Sequence, residues 1–177
     1  MKALNITVFS LIALFLFPVC AGNSKGYSVI NKNLSEEYQK DSHEITSILN
    51  DIQNGILKDD LSILLNHVNK QKGVYIDLKA HKTYAELKKQ IEDPDSYLNT
   101  FFLYSDKLKK TTNDSKQVAI KDILSSQKNI KIELFFNETG DECEARIFLE
   151  RKKKENYRLN NPYFVKIKDK WYIYRLL

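Results

Sequence analysis

Two histidines and one aspartate are the residues of this chain whose types could perform acid–base chemistry. His67 and His81 flank a predicted short strand, residues 74–78, that carries Asp77. An imidazole beside a carboxylate can accept and release a proton near neutral pH, which is the chemistry of general acid–base catalysis. No spacing in the sequence forces either histidine close to Asp77. We therefore predict surface or turn positions for these residues in preference to a catalytic dyad.

The sequence shows no pattern typical of a metal site or an activated nucleophile. Its three histidines and two cysteines form no H-x-x-x-H or C-x-x-C spacing, and no glycine-rich loop could hold a phosphate. Cys143 and Ala145 are two residues apart on a predicted strand and therefore lie on the same, apolar face, which predicts a buried structural thiol. We therefore assign no catalytic residue, no metal ligand and no cofactor.

The C-terminal segment contains more aromatic residues than one buried face of a hairpin can hold. These residues are Tyr163, Phe164, Trp171, Tyr172 and Tyr174. Tyrosine and tryptophan are favoured at interfaces because each offers a large apolar area with a polar tip. We predict a binding surface that includes Tyr163, Trp171, Tyr172 and Tyr174. The alternative is that both faces of the hairpin are buried.

The densest run of charge, Arg151-Lys152-Lys153-Lys154, is a second candidate binding surface. It could meet an anionic surface such as lipopolysaccharide, acidic phospholipid or a host glycosaminoglycan, which would make the protein an adhesin. The acidic residues on either side favour a solvated hairpin end that keeps a strand edge from aggregating. The chain has 28 Lys and Arg residues against 23 Asp and Glu, and this small excess, with export, argues against a nucleic-acid partner.

Residues 1–21 have the layout of a secretory signal peptide, with a positive start, an apolar run and a small-residue exit. Cleavage after Ala21 would leave Gly22 as the first residue, whereas lipoprotein processing would leave an acylated Cys20. Both outcomes stay open. The shortage of cysteines excludes an internal disulfide framework and fits a bacterial protein. We predict an exported protein, either lipid-anchored in the cell envelope through Cys20, or periplasmic or secreted.

The rest of the chain is predicted to be a flexible tether over residues 22–33 and a single α+β domain over residues 34–177. Apolar residues at three- and four-residue spacing predict a first helix from Ser35 to about Gly55, followed by shorter helices and a polar loop over residues 105–116. After residue 129 the pattern changes to alternation at period two, which predicts an antiparallel meander. This order predicts N-terminal helices packed against a curved C-terminal antiparallel sheet.

The order of elements resembles the cone-like α+β roll of the nuclear transport factor 2-like (cystatin-like) superfamily. A local resemblance covers residues 57–76, which are similar to a segment of uncharacterised exported bacterial lipoproteins where a helix ends in a Val-His-Pro-x-Lys-Gly-Val turn. The matching positions are Val68, Lys72, Gly73 and Val74. Asn69 and Lys70 stand in place of the His and Pro. The pattern of an aromatic strand, a tight charged turn and Trp171-Tyr172 also recurs in those lipoproteins.

The resemblance implies a fold and an envelope location but no activity, because the superfamily includes enzymes, ligand binders and assembly modules. Its enzymes often place a His and a carboxylate in the mouth of the cone, a role that would fall here to Asp77 and a histidine. We predict a non-catalytic binding or interaction module with an envelope or host-surface partner. The alternatives are a small cone-fold enzyme that uses Asp77 with a His, and the adhesin. The sequence does not determine the oligomeric state.

Overall fold

The computed structural model describes residues 26–31, 34–150 and 159–177, and within these ranges most helices precede most strands. The helices are α1 (Glu36–Leu57), α2 (Leu64–His67), α3 (Tyr84–Glu92), α4 (Tyr97–Leu103), α5 (Ser105–Thr112) and α6 (Ile120–Ser126), with a 3-10 turn at Leu61–Ile63. The strands are β1 (Tyr27–Val29), β2 (Val74–Tyr75), β3 (His81–Lys82), β4 (Ile130–Phe136), β5 (Glu142–Phe148), β6 (Tyr163–Ile167) and β7 (Lys170–Arg175). None of these helices has the length and apolar character needed to cross a membrane.

The strands of the described residues form one open sheet in the order β1-β4-β5-β6-β7-β2-β3. The predicted α+β class is confirmed, and β4 to β7 form the predicted antiparallel meander. The sheet is mixed rather than antiparallel throughout, because β1 pairs in parallel with β4 and β2 pairs in parallel with β7. β1 has three residues, too few to show the alternation from which a strand is predicted, whereas β2 is the first part of the strand predicted over residues 74–78.

The core forms where the apolar face of α1 meets apolar residues from the strands in one hydrophobic cluster. The residues of α1 that the sequence predicts on this face are all buried: Ile45, Ile48, Leu49, Ile52 and Ile56. Phe164, Trp171 and Ile173 contribute the buried side of the last hairpin. Burial of each such side chain stabilises the fold by roughly 1.5–3 kcal/mol, so this cluster fixes which face of the hairpin stays outside.

The tether predicted over residues 22–33 is wrong for residues 27–31. Tyr27 is buried and β1 adds to the edge of β4, with Ser28 opposite Lys131. Asn31 then makes two hydrogen bonds of 2.8 Å with the backbone of Leu134, one through each side-chain atom of its amide. The buried Tyr27 ring and the Asn31 side-chain amide thus hold in place a segment whose polar composition is typical of a linker. Residues 22–25 and 32–33 of that prediction lie outside the described residues.

Two local predictions need correction. Residues 105–112 form α5 rather than a loop, because a helix with a single buried residue, Leu108, shows no apolar periodicity. Gly55 lies inside α1 instead of ending it. A Cβ on Gly55 would come within 2.5 Å of the Asp60 carbonyl oxygen, so this glycine serves the close return of the chain after the helix.

Candidate functional site

The last strand has two different faces, as the surplus of aromatic residues predicts. Trp171 and Ile173 point into the core, whereas Tyr172 and Tyr174 alternate with them and are only half-buried. Tyr163 on β6 is half-buried in the same way. Three of the four aromatic residues predicted for a binding surface are therefore accessible.

Trp171 is the exception, and its assignment to a binding surface is wrong. Its side chain is fully buried and lies edge-on to Phe136 at 5.9 Å between ring centroids. Its backbone N–H donates to the Glu44 carboxylate of α1 at 3.1 Å. Strand alternation places Trp171 and Ile173 together on the core face, so the Trp171 ring packs beneath the hairpin and is not available to a partner.

A groove of about 290 Å³ opens beside the accessible tyrosines, and we call it the tyrosine groove. It is lined by Tyr75, Leu78, Tyr163, Tyr174 and Arg175. The parallel pairing of β2 with β7 brings Tyr75 to Tyr174, whose rings meet edge to face at 5.4 Å. Leu78, in the turn after β2, is 68 % exposed at its rim. The groove is apolar and aromatic along most of its length.

Two polar groups that line the tyrosine groove, the Tyr163 hydroxyl and the Arg175 guanidinium, already have partners. The Tyr163 hydroxyl donates to the Glu142 carboxylate, and the Arg175 guanidinium lies 5.5 Å from the centre of the Tyr163 ring. Arg175 also donates to the Asn161 carbonyl at 3.0 Å and lies 3.8 Å from the Glu144 carboxylate. Burial, and then the contact with Glu142, raises the pKa of Tyr163 to about 12, so its phenol is neutral at pH 7. The groove therefore offers neutral aromatic surface rather than an acid, a base or an unpaired charge.

Asp77 and His81 lie close together in the sequence, but each side chain forms hydrogen bonds with backbone groups and not with the other. The Asp77 carboxylate accepts the N–H groups of Lys79 and Ala80 at 2.7 and 2.8 Å, which closes the turn between β2 and β3. His81 Nε2 lies 2.7 Å from the carbonyl oxygen of Lys72. Among the described residues no hydrogen bond or ion pair joins Asp77 to a histidine. This arrangement stabilises a turn.

A different histidine pairs with a carboxylate. His67 at the end of α2 lies 3.2 Å from Asp51 of α1, nitrogen Nε2 to oxygen Oδ2. Burial lowers the pKa of His67 below its ordinary value, although Asp51 acts in the opposite direction. The sequence did not predict this pair. The turn at residues 58–60 places α2 against α1, and a turn has no hydrophobic periodicity from which such packing could be predicted.

A larger groove, of about 500 Å³, lies between the turn that follows α2 and the β6–β7 hairpin, and we call it the lysine groove. Its cationic residues are Lys70, Lys168 and Lys170, and no Asp or Glu is among the described residues that line it. Lys70 is about a hundred residues from Lys168 and Lys170 in the sequence, and the packing of α2 and β2 beside β7 brings the two segments together. Sequence reasoning missed this groove for that reason.

The other predicted site residues divide into two groups. Cys143 is buried, as predicted, and burial raises the pKa of its thiol to about 12. Cys20 and the basic run Arg151-Lys152-Lys153-Lys154 lie outside the described residues. Within the parts of the chain that the structure describes, no cluster of His, Cys, Asp and Glu is arranged to hold a metal ion.

Comparisons of the chain with protein-family models, with curated proteins and with solved structures found no match.

Proposed function

We propose that this chain is an exported bacterial protein that acts by binding another protein, with the tyrosine groove as its contact surface. The observation that carries the proposal is the placement of Tyr75, Tyr163 and Tyr174 around an open groove instead of in the core. Tyrosines at such positions supply large contact area with little loss of side-chain entropy, which is why they are enriched at protein interfaces.

The charge pattern around the tyrosine groove supports a protein partner. Among the described residues that line it, Arg175 alone is charged, and Glu144 balances that charge, so an apolar or aromatic side chain can enter without burying an unpaired ion. Leu78 extends the apolar surface to the rim. A hydrophobic centre with paired charges beside it is the usual anatomy of a protein interface.

Binding without catalysis is favoured over the cone-fold enzyme because the residues that the enzyme would need are engaged elsewhere. The Asp77 carboxylate accepts two backbone N–H groups, and His81 bonds to a backbone carbonyl. The predicted dyad requires Asp77 and a histidine within hydrogen-bond reach of each other, and among the described residues no hydrogen bond or ion pair joins them. A carboxylate and an imidazole held in this way act as parts of a turn.

The cone-like roll and the export route belong to the same proposal. The shared hydrophobic cluster of α1 and the hairpin is what a sheet curled around that helix would produce. The signal peptide over residues 1–21 would leave either an acylated Cys20 or a free Gly22. The intact mass of the protein isolated from its own cells distinguishes these two, because acylation adds the mass of the lipid chains.

Site-specific photo-crosslinking tests the binding proposal. A photoreactive residue at position 78 should give a discrete crosslinked product in the cells that make the protein, and Tyr174→Ala should reduce its yield at least about fivefold, since Tyr174 forms one wall of the groove. The same photoreactive residue at Tyr104, which is 42 % exposed and lies outside the groove, is the matched control. Identical products from both positions, or a yield that Tyr174→Ala does not change, would contradict the proposal.

A further inference from the structure

We propose that the lysine groove is a second, separate binding site, for a small phosphate monoester with an apolar body. The first step of the argument is charge. Lys70, Lys168 and Lys170 line one groove, and among the described residues none of the three forms an ion pair with a carboxylate. Three ammonium groups around one space favour an anion, and a dianionic group more than a monocarboxylate.

Two lysines outside the groove show the contrasting arrangement, in which a carboxylate lies against the ammonium group. Lys166, two residues before Lys168, lies 3.0 Å from both carboxylate oxygens of Asp41. Lys121 lies 2.7 and 2.6 Å from those of Asp59. The ammonium groups of Lys70 and Lys170 lie instead over the rings of Tyr84 and Tyr172, 5.6 and 5.1 Å from the ring centroids. These two ammonium groups are positioned by aromatic rings and keep their charge uncompensated.

The groove also has an apolar side, which restricts the class of ligand. Leu65, Val68 and Ile167 contribute aliphatic surface, and Val68 is buried beneath the groove. Inorganic phosphate would contact only the lysines and would leave this surface in water. A volume of about 500 Å³ lies within the range of roughly 300–1,000 Å³ that small-molecule sites occupy. An ester whose ring or short chain rests on the aliphatic residues uses both parts.

Both walls of the groove are held in place before a ligand arrives. Asn69 accepts the N–H groups of Gln71 and Lys72 at 3.0 and 3.1 Å, which fixes the turn that carries Lys70. On the other wall, Lys168 lies in a two-residue hairpin turn closed by the pairing of Ile167 with Lys170. A site whose backbone is already ordered loses less entropy when it binds.

A nuclear magnetic resonance titration with phenyl phosphate tests this proposal. Backbone amides of residues 65–71 and 167–172 should shift together as phenyl phosphate is added. Lys168→Gln combined with Lys170→Gln should weaken binding at least about tenfold, because charge-assisted contacts are lost while the side-chain stems remain. Lys110→Gln with Lys128→Gln removes the same charge at two exposed positions outside the groove and should change the affinity by no more than about twofold.

Three results would overturn the proposal. The first is equal binding by the two double variants, which would mean a response to net charge alone. The second is phenol or inorganic phosphate binding as tightly as phenyl phosphate, since each lacks one of the two required parts. The third is Lys168- and Lys170-dependent binding to phosphatidylglycerol vesicles without binding of phenyl phosphate, which would identify a membrane surface as the ligand. None of these results bears on the tyrosine groove, so the two proposals fail independently.

Discussion

The tyrosine groove and the lysine groove lie at opposite ends of the same hairpin, and they differ in whether their charged side chains have partners of opposite charge. In the tyrosine groove, Arg175 forms an ion pair with Glu144, and the Tyr163 hydroxyl donates a hydrogen bond to Glu142. In the lysine groove, Lys70, Lys168 and Lys170 have no carboxylate partner among the described residues. The first is therefore suited to a neutral apolar surface and the second to an anion. One hairpin can present two kinds of site because its turn lies beside residues 65–71, whereas its open end lies beside Tyr75 and Leu78.

Both grooves depend on a core that holds the hairpin in place. Of the substitutions considered, removal of the Trp171 side chain should reduce the free energy of unfolding the most. Trp171→Ala should lower the free energy of unfolding by about 3–5 kcal/mol, because it empties a fully buried position. Urea denaturation measures this loss. Tyr172→Ala, the next residue on the outer face, should lose less than about 1 kcal/mol. Equal losses would contradict the two-faced description of β7.

The paired Lys166 sharpens the comparison with the unpaired lysines beside it. Asp41→Asn should lower the free energy of unfolding by about 1–3 kcal/mol, because Asp41 is nearly buried and the change leaves Lys166 without its carboxylate. Glu92→Gln, which breaks the exposed pair with Lys88, should have a smaller effect in the same denaturation assay. Lys168→Gln should leave stability unchanged, since it has no partner to lose. A loss for Lys168→Gln as large as that for Asp41→Asn would contradict this distinction.

The tyrosine groove should contribute little to stability. Tyr174→Ala should lower the free energy of unfolding by only about 1 kcal/mol, since it removes one half-buried ring that contacts Tyr75 edge to face. Thermal or urea unfolding measures the change. A loss as large as that of Trp171→Ala would show that Tyr174 belongs to the core and not to a contact surface.

The smallest expected effect is a pH dependence at His67, behind the lysine groove. Because burial lowers the pKa of His67 below its ordinary 6.5, the unfolded chain binds this proton at a higher pH than the folded protein does. The corresponding stability is complete above pH 6.5 and falls as the pH drops through the lower, folded pKa. Denaturation between pH 7.5 and 5 should therefore show a shallower decline in His67→Asn than in the unsubstituted protein. Parallel curves would contradict the assignment.

The sequence was sufficient where a pattern repeats within one element. The long α1 shows five buried residues at helical spacing, and the meander alternates over entire strands, so the α+β class could be predicted. Neither groove could be predicted, because each one joins residues far apart in the sequence, Tyr75 with Tyr174 and Lys70 with Lys170. Trp171 was assigned to the wrong face because composition shows that a hairpin has too many aromatic rings for one face but not which rings lie outside.

The most direct test of the central claim measures stability and binding in the same variant, Tyr174→Ala. The account predicts that this variant unfolds within about 1 kcal/mol of the unsubstituted protein while losing most of the crosslink from position 78. Retention of the crosslink in a stably folded Tyr174→Ala protein would contradict the claim that the tyrosine groove is the contact surface.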